Sequence, residues 1–148
     1  MGPGHQGGGP VRGLTAPRAV AAAGVPRLRV VDSITELVPG ADAGCLAVSG
    51  SHGGISSAQY AWAAQPLLAV FNDAGVGKDR AGLAALPFLQ GHGIAACTVG
   101  HQSARIGEAR STLREGVVSH CNARALALGA APGQACAALI ERLMGGGL

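Results

Sequence analysis

Aromatic side chains are scarce in this sequence: two Phe, one Tyr and one Trp make up 3% of 148 residues. A core without large rings has to close through small aliphatic groups, which requires helices and strands to approach closely. Charged residues are also few, at 13%. With a mean hydropathy of +0.31, that excludes a solvated disordered chain, which needs few apolar groups and a high net charge. Lysine is nearly absent: Lys78 stands alone among basic residues that are otherwise Arg, scattered singly. Binding to nucleic acid requires a clustered positive footprint, so no nucleic-acid partner is expected. The glycines show no period of three, which excludes a collagen-like chain. No apolar run approaches the roughly 20 residues of a membrane span. No CxxC spacing links Cys45, Cys97, Cys121 and Cys136, so a structural zinc site is not expected. Cys45, Cys97 and Cys136 lie among Ala, Leu and Ile and read as reduced core thiols of a cytoplasmic protein.

What the chain has instead is Gly and Ala, 25 and 29 residues, more than a third of the total. The length suits one domain. Residues 1–26 carry Gly-Gly-Gly, three early prolines and Pro26, with no periodicity over 1–16, so they read as a disordered N-terminal extension. Residues 27–148 read as a single α/β domain. Short apolar runs at 28–31, 45–48, 67–71 and 94–99, with a shorter one at Val117-Val118, alternate with helical stretches at 56–65, 78–90, 123–128 and 133–143. Ser33-Ile34-Thr35-Glu36 fits a capping box opening a short helix that stops at Pro39-Gly40. Continuous apolar strands alternating with helices predict a three-layer parallel sheet of four or five strands with helices on both faces.

Ligands of open α/β sheets bind outside the carboxyl ends of the strands, and the polar residues here concentrate at those ends. Ser49-Gly50-Ser51-His52-Gly53-Gly54 follows the second strand. Glycines and hydroxyls before a helix can cradle an anion through backbone N–H groups, which makes Ser49, Ser51, Gly53 and Gly54 candidate substrate-binding residues and His52 a candidate acid–base group. Asn72-Asp73 follows the third strand. The succeeding Gly75-Val76-Gly77-Lys78-Asp79-Arg80 fits neither a Walker A loop nor a dinucleotide fingerprint, since Asp79 and Arg80 stand where those need Ser/Thr and Gly. Asp73 is then a candidate base, His-orienting group or ligand, and Asn72 a substrate contact. His101, Ser103 and Arg105 follow the fourth strand, with Arg105 suited to a carboxylate and Glu108 placed to orient it. His120-Cys121-Asn122 forms a possible fourth strand-end cluster.

These residues point to acid–base catalysis: His52 or His101 moves a proton, Asp73 orients the imidazole, and Arg105 with the glycine-rich turn holds an anion. No cofactor fingerprint is present. A divalent metal, if used, would take His52, Asp73 and His101 as a two-His-one-carboxylate set. Ser51-His52-Gly53 and Ala96-Cys97-Thr98-Val99-Gly100 resemble the His and Cys segments of caspase-like hydrolases, over about a dozen residues. That resemblance implies a Cys97–His52 dyad, although Ala95 stands at the family's Gln and Thr98-Val99 at its following positions. The expectation is a small enzyme that hydrolyses, or moves protons on, a small anionic or amide-bearing metabolite. The alternative is a non-catalytic ligand-binding or accessory subunit using the same rim. Clefts of so short a chain are shallow and its surface carries little charge, so a homo-oligomer is expected.

Overall fold

The computed structural model describes residues 24–145. The expected extension at 1–26 lies almost wholly outside the described residues. Five strands form one sheet in sequential order: β1 (Leu28–Val31), β2 (Leu46–His52), β3 (Leu68–Asn72), β4 (Ala95–Val99) and β5 (Val118–Cys121). The helices are α1 (Ile55–Ala64), α2 (Ala85–Gly91), α3 (Ala109–Glu115), α4 (Ala123–Ala127) and α5 (Cys136–Leu143). The class is the α/β one expected from the alternating pattern. Among the described residues no helix is long and apolar enough to cross a membrane.

Strands β1 to β4 are parallel, because each connection returns the chain to the same end of the sheet before the next strand starts. β5 departs from the expected all-parallel sheet and runs antiparallel to β4. Its connection starts and ends at the same rim: the Gly100 N–H donates to Val117 O at 2.9 Å, so the chain re-enters where β4 leaves.

Alternate residues along a strand point to opposite faces, and here they separate into two apolar clusters. Ala47, Ala69, Phe71 and Ala96 pack with Ala58, Ala61 and Trp62 of α1 and Leu86 and Leu89 of α2. Leu46, Val48, Leu68, Val70, Cys97 and Val99 pack with Ala125 of α4 and Cys136, Leu139 and Ile140 of α5. The small residues are what this packing needs: Ala47, Ala58, Ala61, Ala69 and Ala96 are all fully buried.

Two local expectations are revised. The capping box forms, with the Ser33 N–H donating to Glu36 at 3.0 Å, but it opens only a 3-10 turn over Ile34–Glu36. The helix expected over 78–90 is divided. Lys78–Leu83 is a 3-10 segment in which Asp79 and Arg80 take left-handed φ of 56° and 59°. α2 begins only at Ala85, and Pro87 lies in its first turn, where a missing N–H costs nothing.

Candidate functional site

The chain beyond Val48 stays in the sheet, and this changes the role of the Ser/His/Gly motif. Ser49 is buried and its hydroxyl donates to Val70 O at 2.8 Å. Ser51 Oγ accepts the Ile34 N–H at 2.9 Å. A Cβ on Gly50 would lie 2.5 Å from the Glu108 backbone nitrogen, and one on Gly53 would lie 2.4 Å from Gly82 O. These glycines therefore admit protein backbone rather than an anion. Gly50 O accepts the Gly107 N–H at 2.7 Å, and Gly53 O accepts the Ala85 N–H at 2.8 Å. Gly54 lies beneath the exposed His52 imidazole, whose Cε1 would be 2.4 Å from a Cβ there. At Ser49, Ser51 and Gly53 the groups expected to cradle an anion are thus taken up by the fold itself, while Gly54 lies under the His52 ring.

After β3 the chain enters an unusual loop. Ala74, Gly75, Val76 and Gly77 all have positive φ, from 52° to 76°, before Asp79 and Arg80 repeat it. A β-branched residue such as Val76 at φ 70° is a genuine outlier. Such conformations persist only where their surroundings over-determine them. Here Gly82 donates to Val76 O at 2.7 Å, and a Cβ on Gly82 would fall 2.1 Å from Asp73 O. Asn72 is fully buried and spends both ends of its amide on the loops, donating to Ala104 O at 3.1 Å and accepting the Ala74 N–H at 2.8 Å.

Asp73 is the centre of the rim. Its Oδ1 accepts the Gly75 N–H at 2.8 Å and the His101 N–H at 3.1 Å. His101 Nδ1 lies 3.5 Å from the same oxygen, with the imidazole 52% exposed and the carboxylate 6%. Burial raises the Asp73 carboxyl, but hydrogen bonds from the Gly75 N–H, the Ser119 hydroxyl and the His101 N–H, with the imidazole charge, outweigh it. The net shift is below the ordinary 3.8. Ser119 Oγ in turn lies 2.8 Å from Thr98 Oγ1. The result is a chain of polar groups, His101–Asp73–Ser119–Thr98, in which only the imidazole reaches solvent freely.

The imidazole stands at a cavity of about 450 Å³ whose lining includes Asn72, Gln102, Arg105, Ile106 and Glu115. The Arg105 backbone is positioned by Ser111, whose Oγ accepts its N–H at 2.9 Å and donates to Glu115 at 2.6 Å. The Arg105 side chain is exposed and has no ion pair among the described residues, so Glu108 does not orient it as expected. Ser103 lines the cavity, but its hydroxyl donates to Gly100 O at 2.7 Å and accepts the Val117 N–H at 2.9 Å, fixing the turn.

Of the expected catalytic group, Asp73 and His101 come together. His52 does not join them: it pairs in register with Asn72, has no ion pair with Asp73 among the described residues, and does not line this cavity. Among the described residues no three His, Cys, Asp or Glu are grouped to hold a metal, so His52, Asp73 and His101 do not form the conditional ligand set. Cys97 is no nucleophile. It is fully buried mid-strand, with β3 between it and β2, and burial pushes its thiol well above the ordinary value.

Three polar residues take structural roles that their sequence context does not announce. Asp42, fully buried, accepts from Arg29 at 2.6 and 2.8 Å, from the Val38 N–H at 2.7 Å, and from Arg27. Asn122 joins four partners: its Oδ1 accepts from Ala96 and Ala125, and its Nδ2 donates to Leu86 O and Ile94 O. Asp32 accepts the Ala109 N–H at 2.9 Å, seating α3 on β1. Because β5 is antiparallel, His120, Cys121 and Asn122 lie beside Thr98, Cys97 and Ala96 rather than at the rim.

Comparison with family models, with curated proteins and with solved structures gives no significant match.

Proposed function

We propose that the protein is a small enzyme of acid–base chemistry acting on an anionic or amide-bearing metabolite. In this reading His101 moves the proton, Asp73 orients it, and Arg105 holds the substrate's anionic group. The reading is carried by the contact between the exposed His101 imidazole and the buried, ionised Asp73 at the edge of a cavity that also holds an uncommitted guanidinium. A carboxylate on Nδ1 fixes the tautomer with its proton on that nitrogen, leaving Nε2 as the base. The loop that holds Asp73 is strained but pinned, so the carboxylate is preorganised and need not reorganise during proton transfer. Hydrolysis and lyase- or isomerase-type proton transfer both suit this set.

The test is a thermal-shift screen of small carboxylates and amides on the wild type and Arg105→Gln, followed by product analysis of the hits. The expected result is stabilisation that depends on Arg105, with His101→Gln still binding but losing about two orders of magnitude or more in turnover. Full turnover in His101→Gln, or turnover of a hit that is unchanged in Arg105→Gln, would overturn the reading; a hit that binds without being turned over does not bear on it.

A further inference from the structure

A second, larger cleft lies on the other side of the strained loop, and it has a different chemistry. It measures about 770 Å³ and opens between the Lys78–Leu83 segment with α2 on one side and β5 on the other. Its apolar lining comes from Leu83, Pro87 and Pro132. Its polar lining offers three groups able to donate, beside the Asp79 carboxylate. Arg80 is exposed and has no ion pair among the described residues. Gln90 uses its Oε1 to accept the Arg124 N–H at 2.9 Å, which leaves its NH₂ to donate. His120 also lines the cleft, and its Nδ1 is sealed from solvent without a hydrogen-bond partner among the described residues. A proton on that nitrogen would be a buried donor without an acceptor, which favours the tautomer carrying it on Nε2.

We propose that this cleft is a binding site for a small carboxylate with an apolar body. Arg80 takes the carboxylate, with the Gln90 amide and the His120 Nε2–H as further donors, and the hydrocarbon lies on Leu83, Pro87 and Pro132. Asp79 also lines the cleft and opposes an anion, so binding requires Arg80 to take the carboxylate on the side away from it. The site does not depend on any reaction at His101. The 73–82 loop borders both cavities, and Ser119, which lines this one, bonds through its hydroxyl to Asp73.

Isothermal titration with hexanoate tests the proposal, using the full chain with Arg80→Gln, His120→Gln and Arg105→Gln variants and hexylamine as the cationic control. The expected result is saturable hexanoate binding in the wild type and in Arg105→Gln, and none of hexylamine. Arg80→Gln should bind roughly tenfold or more weakly, as expected when a charge-assisted contact is lost. His120→Gln should weaken binding too. If that variant does not fold, Arg80→Gln, which changes an exposed side chain, decides alone. Absence of saturable binding at millimolar hexanoate, or unchanged affinity in Arg80→Gln, would overturn the site. Loss of binding in Arg105→Gln would also overturn it, by putting the carboxylate in the first cavity.

Discussion

His101 meets Asp73 through two of its nitrogens: the backbone N–H lies 3.1 Å and the ring Nδ1 3.5 Å from the same oxygen, Oδ1. The first contact fixes the loop after β4 to the loop after β3, and the second places the imidazole beside the carboxylate. The residue that organises the candidate chemistry is therefore also a structural clamp.

A pH-dependent stability follows. The folded Asp73 carboxyl lies below its ordinary 3.8, so the ionised form is the one the fold favours. Its contribution is fully present above 3.8 and is lost as pH falls through the lower folded value. In urea titrations, Asp73→Asn should cost about 1.5–3 kcal/mol at pH 7, as expected for hydrogen bonds to a charged group. The gap between variant and wild type should narrow below about pH 4. A gap that stays constant down to pH 2 would show that the carboxylate charge is not what the loops hold.

The glycines of the rim divide by what surrounds them. Gly53→Ala would place a Cβ 2.4 Å from Gly82 O, and Gly82→Ala one 2.1 Å from Asp73 O. Each clash is with backbone, so each variant should lose about 3 kcal/mol or more, or fail to fold. Gly91→Ala meets nothing within 4 Å at an ordinary φ and should be neutral or gain about 0.4–1 kcal/mol. Chemical denaturation of the three variants side by side checks both signs.

The thiols give a test that needs no substrate. Burial pushes Cys45 up to about 11 and Cys136 up to about 12, holds Cys97 well above its ordinary value, and raises Cys121 as well. Cys121 alone of the four is not buried. Under native conditions at pH 7.5, iodoacetamide should label Cys121 first and leave Cys97 unmodified until the chain is denatured, as mass spectrometry can show. Rapid native labelling of Cys97 would reopen the Cys–His reading.

Much of this fold was legible because hydrophobic runs and turn residues carry local signals. Leu28–Val31 matches β1 outright, and the 56–65 stretch lies within one residue of α1 at both ends. The division at 78–90 was not legible, since Leu83, Leu86 and Leu89 keep a helical spacing through it, while Asp79 and Arg80 take left-handed backbone just before Gly82 packs against Gly53 and Asp73. At the site, Asp73 and His101 stand directly after strand ends, so topology alone brings them together. Ser49 looked like a loop hydroxyl because Gly50 follows it. In fact that glycine marks where the 107–108 backbone lies across β2, a tertiary demand with no local signature. Asp42 was missed, and Asn122 was read only as part of a strand-end cluster, for the same reason: their partners lie 13 or more residues away in the contacts that bury them against Arg29, Leu86 and Ile94.

The backbone strain yields a last prediction, at Ala74. Glycine in place of alanine normally destabilises, because the unfolded chain gains freedom, by about 0.5–1 kcal/mol. Ala74 is exposed at φ 52°, where an L side chain costs about 1–2 kcal/mol. Ala74→Gly removes the second cost and keeps the first, so it should stabilise the protein by roughly 0.5–1 kcal/mol. The same substitution at the fully buried Ala69, in mid-strand β3, lacks that relief and loses packing, so it should destabilise by about 1 kcal/mol or more. Opposite shifts in the urea midpoints of these two variants would locate stored strain in the loop that carries Asp73. A destabilised Ala74→Gly would mean that the left-handed backbone there is set by its neighbours at no cost to the alanine.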